Sequence, residues 1–257
     1  MMEWFDSHCH VDEEAFDEDR EEALARMAEH GITRYAVIGS DMETSRRAIR
    51  FAREHAGAIA VGGIHPHEAK GFREEDLAEM ADWYRKGKIK AIGEIGLDFY
   101  YDHSPREIQR EVCIRQMELA WELKAPVAYH IRDAHAEMLE IMKGMKAKLT
   151  GGIIHCFSGS AEIAKEYLKL GYYISFAGPL TFKKAPKLTE AAKIVPKDRL
   201  LIETDSPYMA PEPVRGRRNE PANVRFVAER LAEIRGETPE DLAAYTYANA
   251  EKIYGLK

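Results

Sequence analysis

Histidines are concentrated where the short apolar runs of this chain end. His8 and His10 follow the first apolar run and are separated by a single residue. If this run is a strand, alternate side chains share a face, so the two imidazoles point the same way. Two imidazoles that converge from one strand end form half of a metal site. Because such a pair also arises by chance, it indicates a metal site only if the later apolar runs end in similar residues.

Similar groups end the later apolar runs. The histidines at these ends are His65, His67, His130 and His155, and the carboxylates are Glu94 and Asp205. Imidazole and carboxylate ligands suit Zn²⁺, Mn²⁺, Ni²⁺ or Fe²⁺. With His8 and His10, six histidines lie at these ends, and four histidines with two carboxylates already exceed what one tetrahedral zinc ion needs. They are enough for two metal ions that share a bridging carboxylate.

Eight short apolar runs, which must position these groups, alternate with helical stretches. We predict strands at or near residues 4–5, 34–39, 59–64, 90–95, 126–129, 152–154, 172–176 and 200–202. Their spacing of roughly 25 to 35 residues is typical of βα units, which predicts an α/β fold, a single (β/α)8 TIM barrel. Residues 239–254 then form an extra C-terminal helix packed on the outside. A doubly wound sheet is the alternative, but the Gly-rich turn expected after its first strand is missing.

Composition restricts the class of protein. We expect one domain over residues 1–257, without linkers or low-complexity segments. The net charge of -7 disfavours a broad nucleic-acid binder but allows local recognition of phosphates. No apolar run approaches the ~18 residues of a membrane span, and the N-terminus lacks the layout of a signal peptide. Three distant cysteines without a C-x-x-C motif favour the reducing cytoplasm. No obligate protein partner is evident.

Seven motifs in order resemble those of the TatD family, metal-dependent hydrolases of the amidohydrolase-like barrel superfamily. They are DSHCH at 6–10, GIHPH at 63–67, GEIGLD at 93–98, HIR at 130–132, HCFSG at 155–159, ETDSP at 203–207 and RNEP at 218–221. The resemblance extends from residue 5 to the NAEKI sequence at 249–253. It is specific for the family and much less so for the substrate.

The resemblance implies a set of metal ligands. His8 and His10 resemble the ligands of one metal, which Asp205 completes, and Glu94 resembles the bridge. His130 and His155 resemble the ligands of the second metal. Some family members lack the histidine pair, so its presence places this chain with the branch that holds two metals. Because Glu94 stands where many amidohydrolases have a carboxylated lysine, no such modification is needed.

Further roles follow from the chemistry of a binuclear centre. Asp205 can contact a metal and still accept the proton of the nucleophile, so it is the predicted general base. His65 is the best remaining acid or phosphate donor, although a structural role is about as common for such a histidine. Arg132 shares the strand parity of His130 and could bind a phosphate oxygen. Arg218 lies in the loop after the eighth strand, a common phosphate position in these barrels.

Three other features of the sequence have competing interpretations. Arg215 and Arg217 are predicted to be solvated rather than bound to phosphate. The cluster of Lys183, Lys184 and Lys187 is interpreted as a solvated helix face. Aromatic residues 99–101 could stack on a nucleobase or form a packed cluster.

The leading prediction, which the resemblance implies, is a metal-dependent phosphodiesterase that trims the 3′ end of DNA. The partner would then be a DNA end, a short single strand or another phosphate-containing substrate. Ester hydrolysis of D-aminoacyl-tRNA and small-molecule amide or lactone hydrolysis are alternatives. A non-enzymatic metal or nucleic-acid binding module is disfavoured, because a binder does not need an open two-metal site. The cofactors would be two divalent ions. The ligand types favour Zn²⁺, Mn²⁺ or Ni²⁺, whereas the resemblance to the family implies Mg²⁺, to which its nuclease activity is usually linked.

Overall fold

The structure, a computed structural model, describes residues 2–256. Its eight strands are β1 Trp4–Cys9, β2 Ile32–Ile38, β3 Ala58–Val61, β4 Ile92–Asp98, β5 Val127–Arg132, β6 Gly152–Ile154, β7 Tyr173–Phe176 and β8 Leu200–Ile202. Each strand pairs in parallel with the next, in a group β1–β3 and a group β4–β8. Parallel pairing of consecutive strands places all of their C-terminal ends on one face.

Backbone hydrogen bonds join the two groups of strands into a closed barrel. The N–H of Gly93 donates to the Gly62 carbonyl at 3.0 Å, which connects β3 to β4. On the other side, the N–H of Asp205 donates to the His8 carbonyl at 2.9 Å, just beyond β8. The predicted (β/α)8 barrel is therefore confirmed.

Helices follow the strands around the barrel. They are α1 Arg20–Glu29, α2 Met42–Glu54, α3 Glu74–Arg85, α4 Arg106–Leu123, α5 His135–Gly144, α6 Ala161–Lys169, α7 Pro186–Ile194, α8 Val224–Arg235 and α9 Pro239–Ile253. Polar caps begin several of them. The Asp41 side chain accepts from the Thr44 N–H at α2, and the Ser160 side chain accepts from the Ile163 N–H at α6. Such caps satisfy backbone donors that have no partner inside the helix.

Short 3₁₀ turns precede several of the helices. Glu14–Phe16 form one such turn before α1, which begins at Arg20. Likewise, the lysine-rich segment becomes helical only at Pro186, after a 3₁₀ turn at Gly178–Thr181. Within residues 2–256, no helix is long and apolar enough to cross a bilayer.

The last helix, α9, does not lie simply on the outside of the barrel, as the sequence predicts. The Tyr254 ring that follows it is 3% exposed and belongs to the cluster of alternate strand residues that fills the barrel interior. Its hydroxyl donates to the Ser7 carbonyl at 2.8 Å, and its ring stacks on Phe5 with centroids 5.9 Å apart. The residue at the end of α9 therefore fills part of the barrel interior. The periodicity of apolar residues along the chain does not predict this position.

Candidate metal centre

Glu94, on β4, lies in the middle of the converging side chains. It is 3% exposed. Its Oε1 lies 2.7 Å from His155 Nε2 and 2.9 Å from His130 Nδ1. The other oxygen, Oε2, lies 3.3 Å from His8 Nε2. One carboxylate therefore faces two sets of imidazoles, as a bridging ligand would.

Asp205 completes the side of the centre nearest β1. Its Oδ1 lies 3.5 Å from His10 Nε2 and 3.7 Å from His8 Nε2. The strand β1 points both imidazoles to this side, and the loop after β8 is held to it by the backbone bond from Asp205 to His8. The structure thus brings together all six residues predicted as metal ligands.

The donor atoms fit a divalent cation. His8 Nε2 is buried and has no hydrogen-bond partner among residues 2–256, although it points between Glu94 and Asp205. A buried, unpartnered polar atom costs free energy unless a ligand occupies its lone pair. Potential ligand atoms within 4.8 Å of one another form three groups, His8–His155–Asp205, His8–His10–Glu94 and His65–Glu94–His130. Nitrogen and carboxylate donors of this kind suit divalent transition metals.

Three of these imidazoles are oriented by acceptors behind them. His10 Nδ1 lies 3.0 Å from the Ile38 carbonyl, and His155 Nδ1 lies 3.1 Å from Glu203 Oε1. His130 Nε2 lies 3.1 Å from Asp98 Oδ2. When the outer nitrogen donates to such an acceptor, the inner nitrogen keeps a free lone pair for a metal. Each inner nitrogen faces Glu94 or Asp205.

Sequence reasoning did not assign roles to Asp98 and Glu203. Asp98 also accepts from His67 Nε2 at 2.9 Å and from the backbone N–H groups of Tyr100 and Tyr101. Strand parity could have identified both residues, since Asp98 shares the face of Glu94 and Glu203 that of Asp205.

The two central carboxylates remain ionised. Burial opposes charge on Glu94, but His155, His8 and His65 hold its pKa well below the usual value. The pKa of Asp205 is also lowered, against burial, by the hydrogen bond from His10 and by His155. Two buried anions at the centre of an imidazole cluster attract a cation.

The imidazoles respond differently to this environment. Burial disfavours the cation in each of them, but the hydrogen bond to Asp205 raises the pKa of His10 to about 9. Glu94 and Glu203 likewise raise the pKa of His155. In His65, burial and the neighbouring His130 lower the pKa well below its usual value. His65 is therefore neutral, whereas metal binding at His10 and His155 must displace protons.

A cavity of about 370 Å³ opens above the centre. His65 and Arg132 line it, together with Tyr101, Tyr208 and Met209. Arg132 lies over the Tyr100 ring at 4.2 Å. Within residues 2–256 its guanidinium forms no ion pair, which leaves it available to a ligand.

Arg218 lies elsewhere. Its guanidinium donates to both carboxylate oxygens of Asp19 at 2.6 Å and packs 4.4 Å from the Phe16 ring. It is not among the residues that line the cavity. In this position Arg218 ties the loop after β8 to the segment before α1.

Comparisons with known proteins agree with this geometry. The family model of TatD-related DNase matches residues 5–255. An uncharacterised metal-dependent hydrolase, YabD, from Bacillus subtilis is 44% identical over 98% of this chain and 99% of its own. The 3′-5′ ssDNA/RNA exonuclease TatD of Cronobacter sakazakii is 35% identical, over 97% of each chain.

A solved structure supports the same relationship. The crystal structure of YJJV, a TatD homologue from Escherichia coli, superposes with a TM-score of 0.92 at 29% identity. The match covers 99% of this chain and 98% of that one. The resemblance found in the seven sequence motifs thus extends over the whole barrel. The chain belongs to the TatD family of metal-dependent hydrolases.

Proposed function

We propose that this hydrolase is a phosphodiesterase that removes nucleotides from the 3′ end of DNA. The observation that carries the proposal is the position of Glu94 between two groups of imidazoles at the floor of an open cavity. The relative named as a 3′-5′ ssDNA/RNA exonuclease supports the choice of substrate. The Arg132 guanidinium lies in the cavity wall and has no ion-pair partner among residues 2–256, so it is suited to a phosphate.

The residues proposed to hold the metals are those that converge. His8, His10 and Asp205 would hold one ion, His130 and His155 the other, and Glu94 both. When bound, two divalent ions lower the pKa of a water molecule and polarise the phosphate. The donor types favour Zn²⁺, Mn²⁺ or Ni²⁺ over Mg²⁺ in affinity.

Asp205 is the proposed general base. Its lowered pKa keeps the carboxylate unprotonated at neutral pH, and its side chain lines the cavity. It can therefore accept a proton from the nucleophile, whereas Glu94 is enclosed by imidazoles on both oxygens. The contact between His10 and Asp205 holds the base in place.

His65 is the proposed hydrogen-bond donor to the phosphate. The backbone N–H of His67 donates to His65 Nδ1 at 3.1 Å, so the proton of the neutral ring lies on Nε2. That nitrogen is 3.6 Å from Glu94 Oε1, too far for a good hydrogen bond, and it faces the cavity. An oxygen of the substrate phosphate can accept this proton.

The test uses metal-loaded protein with 3′-labelled single-stranded DNA and, in parallel, D-aminoacyl-tRNA. We expect release of labelled nucleotides, abolished by Glu94→Ala and retained in the exposed control Glu140→Ala. Cleavage that survives Glu94→Ala would come from a contaminant and would refute the proposal. Deacylation without DNA cleavage would instead favour the ester-hydrolase alternative.

The cellular location is a separate point. The three cysteines form no disulfide, and a cytoplasmic location stays a prediction.

A further inference from the structure

Two basic stretches, separate in sequence, lie side by side on the loops that follow β7 and β8. The basic shelf, as we name this surface, consists of Lys183, Lys184, Lys187, Arg215 and Arg217, all exposed. The lysines precede or begin α7, and the arginines lie between β8 and α8. Each stretch alone is typical of a solvated surface. Together they place five cations on one surface, although like charges repel each other.

Specific contacts hold these loops together. The Arg215 guanidinium lies 4.1 Å from the centre of the Phe182 ring. The backbone N–H of Glu212 donates to Thr181 Oγ1 at 2.9 Å. Gly178 approaches the Met209 carbonyl so closely that a Cβ would lie 1.7 Å from its oxygen. The basic shelf is therefore one surface formed by two packed loops.

Its positive charge is largely uncompensated. Among residues 2–256, only Arg215 of the five has an ion-pair partner, Glu212 at 3.8 Å. The chain as a whole carries a net charge of -7. A local group of cations without ion-pair partners attracts anionic ligands to this surface, even though the protein as a whole is acidic.

The shelf continues from the cavity. Tyr208 and Met209, which line the cavity, belong to the same loop as Arg215 and Arg217. Tyr208 is 52% exposed, and its ring lies beside His10, with centroids 5.9 Å apart. The loop that carries Arg215 and Arg217 therefore also contributes side chains to the cavity wall.

We infer that the basic shelf binds the phosphodiester backbone of a single-stranded polynucleotide whose 3′ end occupies the cavity. This inference rests on the proposed function and names the surface that holds the rest of the substrate. A single strand fits best, because its unpaired bases can stack on an exposed aromatic ring such as Tyr208 while its backbone follows a basic groove. The cavity volume of about 370 Å³ admits an end rather than a duplex.

The test replaces three cations of the shelf by neutral residues, Lys183→Gln, Lys184→Gln and Lys187→Gln. The control makes the same change in charge at exposed lysines of the opposite barrel end, Lys86→Gln, Lys88→Gln and Lys146→Gln. Binding is measured by fluorescence anisotropy of the metal-loaded protein with a 5′-labelled single strand whose 3′ linkages are phosphorothioates. Its salt dependence reports the number of phosphates neutralised.

For a strand of about twelve nucleotides, we expect the shelf variant to bind about tenfold or more weakly at ~0.1 M salt, with a log–log salt slope smaller by up to about 2. For a dinucleotide, which would occupy the cavity alone, kcat/KM should equal that of the unchanged protein, because the three lysines do not line the cavity. The control variant should behave like the unchanged protein with both substrates.

Equal affinity and salt slope in the shelf and control variants would overturn the inference, even if the protein is a nuclease. Conversely, if the shelf variant loses affinity but the unchanged protein cleaves neither the dinucleotide nor the same strand with ordinary phosphodiester linkages, the shelf is retained and the proposed function is refuted. If the unchanged protein neither binds the phosphorothioate strand nor cleaves the ordinary one, both are refuted.

Discussion

Asp98 Oδ2 lies 3.1 Å from His130 Nε2, on the side of the imidazole that faces away from Glu94. The same ring presents Nδ1 to Glu94 at 2.9 Å. A single carboxylate at the end of β4 therefore determines which nitrogen of His130 carries the proton and which is free to bind a metal. Glu203 has the equivalent relationship to His155.

Replacing Asp98 by Asn should weaken metal binding without unfolding the protein. The Asn oxygen can still accept from the N–H groups of Tyr100 and Tyr101, but its amide cannot accept a proton from His130. The imidazole then loses its preferred tautomer, and we expect affinity to fall about 10- to 100-fold. Competitive chelator titration measures the change. Asp82→Asn, at a partly exposed site in α3, is the matched control, and an equal affinity in both variants would contradict the assignment.

The double variant His8→Gln, His10→Gln should lose one metal ion and keep the other. These residues approach Glu94 and Asp205, whereas His130 and His155 approach Glu94 from the other strands. Elemental analysis of protein purified without chelator should show a fall from about two ions per chain to about one. The distant pair His30→Gln, His55→Gln should leave the content unchanged. Complete loss of metal in the first variant would show that the two sites are not separable.

Gly96→Ala should be strongly destabilising. Gly96 has φ of +143° within β4, and a Cβ there would lie 1.9 Å from the His130 carbonyl oxygen. Because that oxygen belongs to the paired strand, relief requires movement of backbone next to the centre. We expect a loss of at least about 2 kcal/mol in the free energy of unfolding, measured with urea.

Gly144→Ala is the control for this substitution. Gly144 ends α5, and a Cβ there meets nothing within 4 Å. Alanine should change the free energy of unfolding by about 1 kcal/mol or less, and in the stabilising direction. Equal effects at both positions would show that the close approach at Gly96 is not what requires glycine.

His135 should make the protein less stable in mild acid. Burial lowers the pKa of His135 from 6.5 to about 4, and its nitrogens contact the Tyr167 and Ser158 hydroxyls. Between these pH values the unfolded chain binds more protons than the folded one, so stability rises with pH and is fully present above about 6.5.

Urea unfolding from pH 4 to pH 7 tests this contribution. The difference in free energy of unfolding between the unchanged protein and His135→Gln should vary by up to about 1.4 kcal/mol per pH unit within the window. A flat difference for His135→Gln would show that the imidazole is not held neutral by the fold.

The convergence of the six residues proposed as metal ligands was predictable from local sequence. Histidines and carboxylates that follow apolar runs at the spacing of βα units must meet, because parallel strands of a barrel end on one face. The convergence of His8, Glu94, His130, His155 and Asp205 needs only that topology. The resemblance to the family was likewise found in the sequence, because its seven motifs follow one another along the chain.

Other features depend on how distant segments pack. Arg218 resembles a phosphate ligand by its loop, but Asp19, about 200 residues earlier in the chain, pairs with it. The lysines around the start of α7 resemble a solvated surface, but the loop after β8 places Arg215 over Phe182, which directly precedes Lys183. Tyr254 enters the barrel because the geometry at the end of α9 directs it there. The periodicity of apolar residues shows which face of a helix or strand is buried. Which distant segment packs against that face depends on the path of the loops in the tertiary structure.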